Sequence, residues 1–437
     1  MRIIIYIFGL SCYSISCTDS IGKIVPKENI ELYFPSLSKI IENIGEDAPS
    51  IKIAKENVNE AGFNRLISDS AQGTSVNINI NGQSIHENRP DQNYYQSYRT
   101  VGSIFAKKPL YHWGALKAKS RIAQLSEMNT VSANKASNFS FLIKVKSEFM
   151  DIVSNKYQLD LAKEQFNLYS ANQDSLNEKK EVGIVTDLQV EDAKIAKLKQ
   201  SILIAELERK LEVGISNFVF DVGYNEKIDF GIPKDFEFFS LNHQFSVENK
   251  PILGHITSEK IVQLKTQINI EKENLKIAHA ARKPKLNLVG GFFQDQIDLP
   301  DSTDPVRRNN FLLGIEANWA IWDSSLSKGQ KLLALAKKRK FNLQLENSIR
   351  KLRLETESLH SQIENLIKQI DASRKLLSSS VNRFEKSKIE FEAKRITSQN
   401  YLSSKLSLAQ AKLILIQTIF NYFKVKDLYE MHLNYPK

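Results

Sequence analysis

Cysteine is nearly missing from this chain: Cys12 and Cys17 are the only two in 437 residues, and both stand in the first seventeen. If a leader is removed near residue 17, no intrachain disulfide remains available, and stability must come from packing. The seven histidines, His86, His112, His243, His255, His279, His360 and His432, stand singly and form neither HExxH nor any other ligand spacing. The expectation is therefore no metal site and no cofactor. No phosphate-cradling GxxxxGK[ST] and no GxSxG elbow occurs, and the carboxylates are spread along helices without an acid–base pair, so no catalytic residues and no enzymatic activity are expected. Blocks of like charge are absent as well. The 60 basic and 50 acidic side chains, net +10, are dispersed as on solvated helix faces, which argues against a nucleic-acid arm. Beyond the opening residues no stretch approaches the roughly 20 apolar residues of a spanning helix, so any membrane-crossing part must be a β-barrel.

The apolar content of 42% suffices for a folded core. Arg2, the apolar run Ile3 to Leu10 and the small or polar stretch Ser11 to Ser16 read as a secretory leader over residues 1–17. Ser14 and Ser16 lie three and one residues before Cys17, so simple cleavage and lipoprotein-type cleavage both remain open, and Cys17 is a candidate for acylation.

The strongest positive signal is a duplication. Two versions of one passage lie about 211 residues apart, each running from alternating segments into a helix of roughly seventy residues. Residues 18–217 form the first repeat and 247–437 the second, with an aromatic-rich, irregular linker over 218–246. In the first repeat Asp47 and Pro49 read as a helix start, and the helix runs to about Ser70. Strands are expected over about 74–82 and 94–106, where Val76, Ile78 and Ile80 alternate with Asn77, Asn79 and Asn81. In the second repeat strands are expected over about 286–294 and 309–321: Leu286, Leu288 and Phe292 share one side, as do Phe311, Leu313, Ile315, Ala317, Trp319 and Ile321. So much apolar surface on one strand face fits lipid outside and water inside. Four strands cannot enclose an aqueous pore, since even eight leave an interior that side chains fill, so several chains must contribute. Trp113, Trp319 and Trp322 all fall where a strand hands over to its long helix, as interface aromatics would.

The long helices carry seams of three-four spacing. Leu142, Val145, Phe149, Ile152, Leu159 and Phe166 form the first, interrupted at Lys156 and Lys163; Leu359, Ile363, Leu366, Ile370, Leu377, Phe384 and Phe391 form the second. Each long helix breaks at a tip, near 181–187 with Gly183 and near 392–400, and a return helix follows; Thr186 or Asp187 can cap the first return helix. The class is thus mainly α with a small β part, each repeat a β-hairpin feeding coiled-coil helices.

In that order and duplicated, several segments resemble the outer-membrane efflux proteins of the TolC type. Ala48-Pro49-Ser50-Ile51-Lys52-Ile53-Ala54 resembles the family's first helix start, and Ala281-Arg282-Lys283-Pro284-Lys285-Leu286-Asn287-Leu288 its entry into the second strand pair. Asn318-Trp319-Ala320-Ile321-Trp322-Asp323 is similar to the exit from those strands, and Val182-Gly183-Ile184-Val185-Thr186 to the first tip. The resemblance implies a homotrimer with a twelve-stranded outer-membrane β-barrel continued by a periplasmic α-helical barrel. It implies further that Gly183, Ile184, Val185, Thr186, Asp187, Arg395, Ile396, Thr397 and Ser398 contact a periplasmic adaptor (membrane fusion) protein serving an inner-membrane transporter. The function implied is an exit duct in outer-membrane lipid for efflux or type I secretion. The sequence departs from the family at Lys394, where glycine is usual, and it offers no aspartate ring among Lys386, Lys388, Glu390 and Glu392. A membrane-anchored helical scaffold or adhesin is the alternative, and it leaves the strand pairs without a purpose.

Overall fold

In the computed structural model, residues 30–88, 95–223, 228–246, 258–298 and 304–433 are described. The expected leader, with Cys17, lies outside them. A short 3-10 turn, Ile30–Leu32, precedes α1 (Pro35–Asp47) and α2 (Pro49–Ser70). Strands β1 (Ser75–Glu87) and β2 (Tyr95–Tyr111) lead to α3 (Ala115–Glu181) and its return α4 (Asp187–Val222). After α5 (Lys234–Asn242) the order recurs: α6 (Glu259–Ala280), β3 (Lys285–Asp298), β4 (Val306–Asn318), α7 (Leu326–Glu392) and α8 (Ser398–Leu433).

The helix lengths also recur. α2 and α6 have 22 residues each, α3 and α7 have 67, α4 and α8 have 36. At 1.5 Å per residue the two long helices reach about 100 Å. Nearest the sheet the helices lie side by side in the order α2, α3, α6, α7; towards the tips the order is α4, α3, α8, α7. The four strands form one antiparallel sheet in chain order, so β1 and β4 are its open edges.

Several boundaries differ from the expectation. β1 and β2 run on to Glu87 and Tyr111, while β4 stops at Asn318, so Trp319 and Ile321 lie beyond the strand they were read into. The chain turns there because the Trp319 indole N–H donates to the Arg282 carbonyl at 2.9 Å, which ties it to the α6–β3 link. Asp47 closes α1 and does not cap α2, whose N-cap is Ala48, with Pro49 in the first turn. The linker begins inside α4 and contains α5, so it is less irregular than its composition implies.

The main core sits midway along the rods. Leu37, Ile40 and Ile44 of α1 meet Val145, Phe149 and Ile152 of α3, Phe218 of α4, Phe236 and Phe239 of α5, and Ile419, Phe420, Tyr422 and Phe423 of α8. Rings pack edge-on or tilted: Phe34 on Phe149 at 5.4 Å, Phe149 on Phe230 at 5.3 Å, Phe236 on Phe420 at 5.4 Å. This geometry suits the ring quadrupole, and the burial removes a large apolar area from water. The expected seam positions are at work here, with Val145, Phe149, Ile363 and Ile370 almost wholly buried. The seam interruption at Lys163 is an ion pair with Glu208 across to α4 at 2.8 Å.

One carboxyl is at odds with this core. Asp427 of α8 is partly buried beside Lys146 and Glu31, which pair with each other, and desolvation pushes its pKa from 3.8 up to about 6 despite the Lys146 cation. A raised carboxyl pKa stabilises the fold fully below pH 3.8, and that stabilisation is lost as pH rises through 6. At pH 7.5 the ionised group costs up to about 3 kcal/mol. Asp427→Asn should therefore raise the thermal midpoint in detergent at pH 7.5 and change it little at pH 4.5; an equal gain at both values would refute the burial account.

Candidate functional site: an amphipathic sheet on helical rods

Register sorts the sheet into two faces. Residues directly opposite in an antiparallel sheet share a face, and here Ile78, Ile104, Phe292 and Phe311 form one row across all four strands. Val76, Ala106, Gly290 and Leu313 form the next, followed by Lys108, Leu288 and Ile315 and by Leu286 with Ala317; in the opposite direction along the strands Ile80, Gly102, Gln294 and Asn309 form a further row of the same face. All nine strand residues expected to face lipid thus fall on one face. From the Leu286 row to the Gln294 row the band covers about 27 Å of strand. Among the described residues nothing covers it: Phe311 is 86% exposed, Leu313 81% and Ile80 79%. Among the described residues no helix is long and apolar enough to cross a membrane.

The opposite face is mixed and richer in polar groups. Asn77, Asn79, Asn81 and Gln83 line it on β1, Ser103 and Asn310 flank Phe293 in one row, and Phe105, Val289 and Leu312 are its other large apolar residues near them. Arg99 grips Asp295 with two hydrogen bonds of 2.9 and 2.8 Å, and Lys107 reaches Glu316 at 2.7 Å. These bonds join β2 to β3 and to β4 and pin the register that keeps the apolar residues together. Sequence reasoning missed both pairs, because their partners lie 196 and 209 residues apart. Gly291 sits opposite Phe105, whose ring covers it: a Cβ there would stand 2.4 Å from the ring and 2.6 Å from the Ile104 carbonyl.

The three tryptophans stand at the strand–helix handover. Trp113 donates to the Pro284 carbonyl at 2.8 Å and carries the Lys283 ammonium 4.3 Å above its ring, while Trp322 is exposed. Both long helices start from a pair of left-handed residues, Trp113 and Gly114 in one repeat, Ser324 and Ser325 in the other. Asp323 caps the second start by accepting from the Ser327 amide at 3.0 Å, a role the sequence reading did not assign.

At the far end the two tips share one backbone design. Gly183 has φ +75°, and its amide donates to the Lys180 carbonyl while Ile184 donates to Lys179, both at 2.9 Å. Lys394 takes the same role with φ +58°, donating to Phe391 at 2.9 Å while Arg395 donates to Glu390 at 2.8 Å. The missing glycine therefore leaves the turn intact and adds the left-handed strain of a non-glycine residue. Thr186 caps α4 in a reciprocal capping box with Gln189, and Thr397 accepts from the Asn400 amide at 3.3 Å. Val185 and Asp187 complete the first tip, where Lys180 pairs with Asp187 at 2.6 Å; Ile396 and Ser398 complete the second. Val182, Ile184 and Leu188 expose apolar side chains at the first tip.

Two measurements follow from this geometry. Gly291→Ala should lower the thermal midpoint in detergent by an amount equivalent to about 1–3 kcal/mol, whereas Gly82→Ala, with nothing within 4 Å, should not; equal effects would mean that the Phe105 contact is unimportant. Gly183→Ala should cost about 1 kcal/mol, confined to the tip and seen as faster amide exchange there, and an unchanged exchange rate would contradict the strain argument.

No protein-family model matches the sequence, and no curated protein matches it. Solved structures do match in fold. The CusC structure, reported with conformational changes accompanying folding and transmembrane channel formation, superposes with a TM-score of 0.69 at 16% identity, covering 93% of this chain and 95% of that one. The CmeC outer membrane channel of Campylobacter jejuni gives 0.72 at 14% identity over 93% and 87% of the two chains. The open state of the MtrE outer membrane channel of Neisseria gonorrhoeae gives 0.68 at 16% identity over 91% and 88%. Each superposition takes in more than nine-tenths of this chain, so the chain has the fold of the TolC-type outer-membrane channels that its sequence resembles.

Proposed function

We propose that the chain is the outer-membrane exit duct of a tripartite efflux or type I secretion system, assembled as a homotrimer and conducting solutes passively from the periplasm or a pump to the exterior. The observation that carries this reading is the uncovered apolar face of a sheet whose two edge strands are both open, mounted on about 100 Å of helix. Such a face is sustainable in lipid and not in water. Strand directions alternate from β1 to β4, so β4 of one chain can pair antiparallel with β1 of the next and close a ring. Two chains would give eight strands, whose interior side chains fill; three are the smallest whole number that leaves a water-filled bore. The helical layer supports the same closure. Its outer helices carry exposed apolar side chains on both borders, Phe63, Leu66 and Ile202 on α2 and α4, Leu333, Leu343 and Leu354 on α7.

In this reading outer-membrane lipid meets the apolar rows, Trp113, Trp319 and Trp322 mark the inner boundary of the bilayer, and the rods cross the periplasm. Residues Gly183 to Asp187 and Arg395 to Ser398 meet a periplasmic adaptor that carries an inner-membrane transporter. The exposed Ile184 and Leu188 suit a protein contact there.

Purified protein should run as heat-modifiable, detergent-dependent trimers and show single-channel conductance in planar bilayers. A monomer soluble without detergent would sink the duct and favour a helical scaffold. Leu313→Arg, on the apolar face, should cost about 2–4 kcal/mol and deplete assembled trimer; Leu312→Arg, one residue along and on the polar face, should be tolerated. Equal damage from both would refute the assignment of faces.

A further inference from the structure

We infer that the barrel part of the duct is selective for anions and holds them in a recess at its helix-side end; this rests on the reading of the polar face as the wall of a bore. Four cations line the described side chains of that face, Arg99, Lys107, Lys285 and Arg308, against two carboxylates, Asp295 and Glu316. Asp295 is already gripped by Arg99 when Arg308 faces it across the β3–β4 register, and Glu316 is taken by Lys107. Arg308 and Lys285 are therefore left with no carboxylate of their own. Lys285 stands opposite Asn318, an amide that cannot neutralise it. By register Glu87, opposite Tyr95, ends β1 on the same face, so the net surplus is one positive charge per chain; the lipid-facing rows of Ile78 and Val76 carry no charge, and Lys108 stands in the row beyond them.

The uncompensated Lys285 opens onto a recess of about 330 Å³ at the junction of sheet and helices. Lys107, His112, Asn287, Asn318 and Ser75 share its lining, and no carboxylate does. The His112 Nε2 lies 2.9 Å from the Asn287 Oδ1, which orders two of these groups. Ammonium, amide and hydroxyl groups together can donate several hydrogen bonds to a small anion. Repeated around a ring of three chains, Lys285 makes a positive collar at the helix-side end, and Arg308 stands in a second ring ten residues further along the sheet. A potential of that sign concentrates anions in the bore and repels cations. Its reach is about 10 Å at 0.1 M salt and about 3 Å at 1 M, so selectivity should fade as salt rises.

The test is the reversal potential of single channels in a KCl gradient near 0.1 M. The unmodified protein should prefer chloride over potassium, and Lys285→Gln with Arg308→Gln should cut the chloride-to-potassium permeability ratio by about twofold or more. Lys285→Glu with Arg308→Glu should lower it further, and Glu316→Gln should raise it. A potassium preference in the unmodified protein, or a ratio indifferent to the Gln pair, overturns the anion collar and leaves the duct standing. No conductance at all overturns the duct itself.

Discussion

An apolar sheet face that the chain cannot cover by itself is the constraint from which the rest of this structure follows. The rows that contain Ile78, Phe292, Phe311 and Leu313 are uncharged and stand clear of every helix. The central core of Phe149, Phe236 and Phe420 lies midway along the rods, away from the sheet. The face therefore has to be satisfied from outside the chain. The two open edges at β1 and β4 pose the same demand for backbone hydrogen bonds. Lipid against the face and sister chains at the edges meet both demands together, and that economy is the main support for the proposed duct.

The helical half is organised by length and by a few conformationally special residues. Equal helices of 22, 67 and 36 residues in each repeat put the two handovers at one level and the two tips at another. Left-handed residues stand at equivalent places: Trp113 and Gly114 answer Ser324 and Ser325, and Gly183 answers Lys394. A helix that must stop and reverse within five residues needs such a conformation whichever side chain occupies it. This is why the second tip keeps the hydrogen-bond pattern of the first although its glycine is gone.

Much of this was legible because period is a local property. The alternation around Val76, Ile78 and Ile80 identifies the apolar face of β1, and the heptad-like spacing through Phe149 and Ile370 identifies the seams, without knowledge of any partner. Strand ends were less legible, since they depend on tertiary anchors: the bond from Trp319 to the Arg282 carbonyl ends β4 at Asn318. The capping of α7 by Asp323 and the burial of Asp427 were hidden for a similar reason, each being set by what the fold brings alongside.

By itself the sequence determined the class of each element, the duplication, the amphipathic strands and the absence of a spanning helix, because hydrophobic period and helix-breaking residues act over a few neighbours. Only the tertiary structure decided how the polar face is wired. Arg99 and Asp295, or Lys107 and Glu316, come from different repeats, and no spacing along the chain encodes which cation meets which carboxylate. That pairing is fixed by the β2–β3 and β3–β4 registers, and it leaves Lys285 without a carboxylate and Arg308 sharing Asp295 with Arg99.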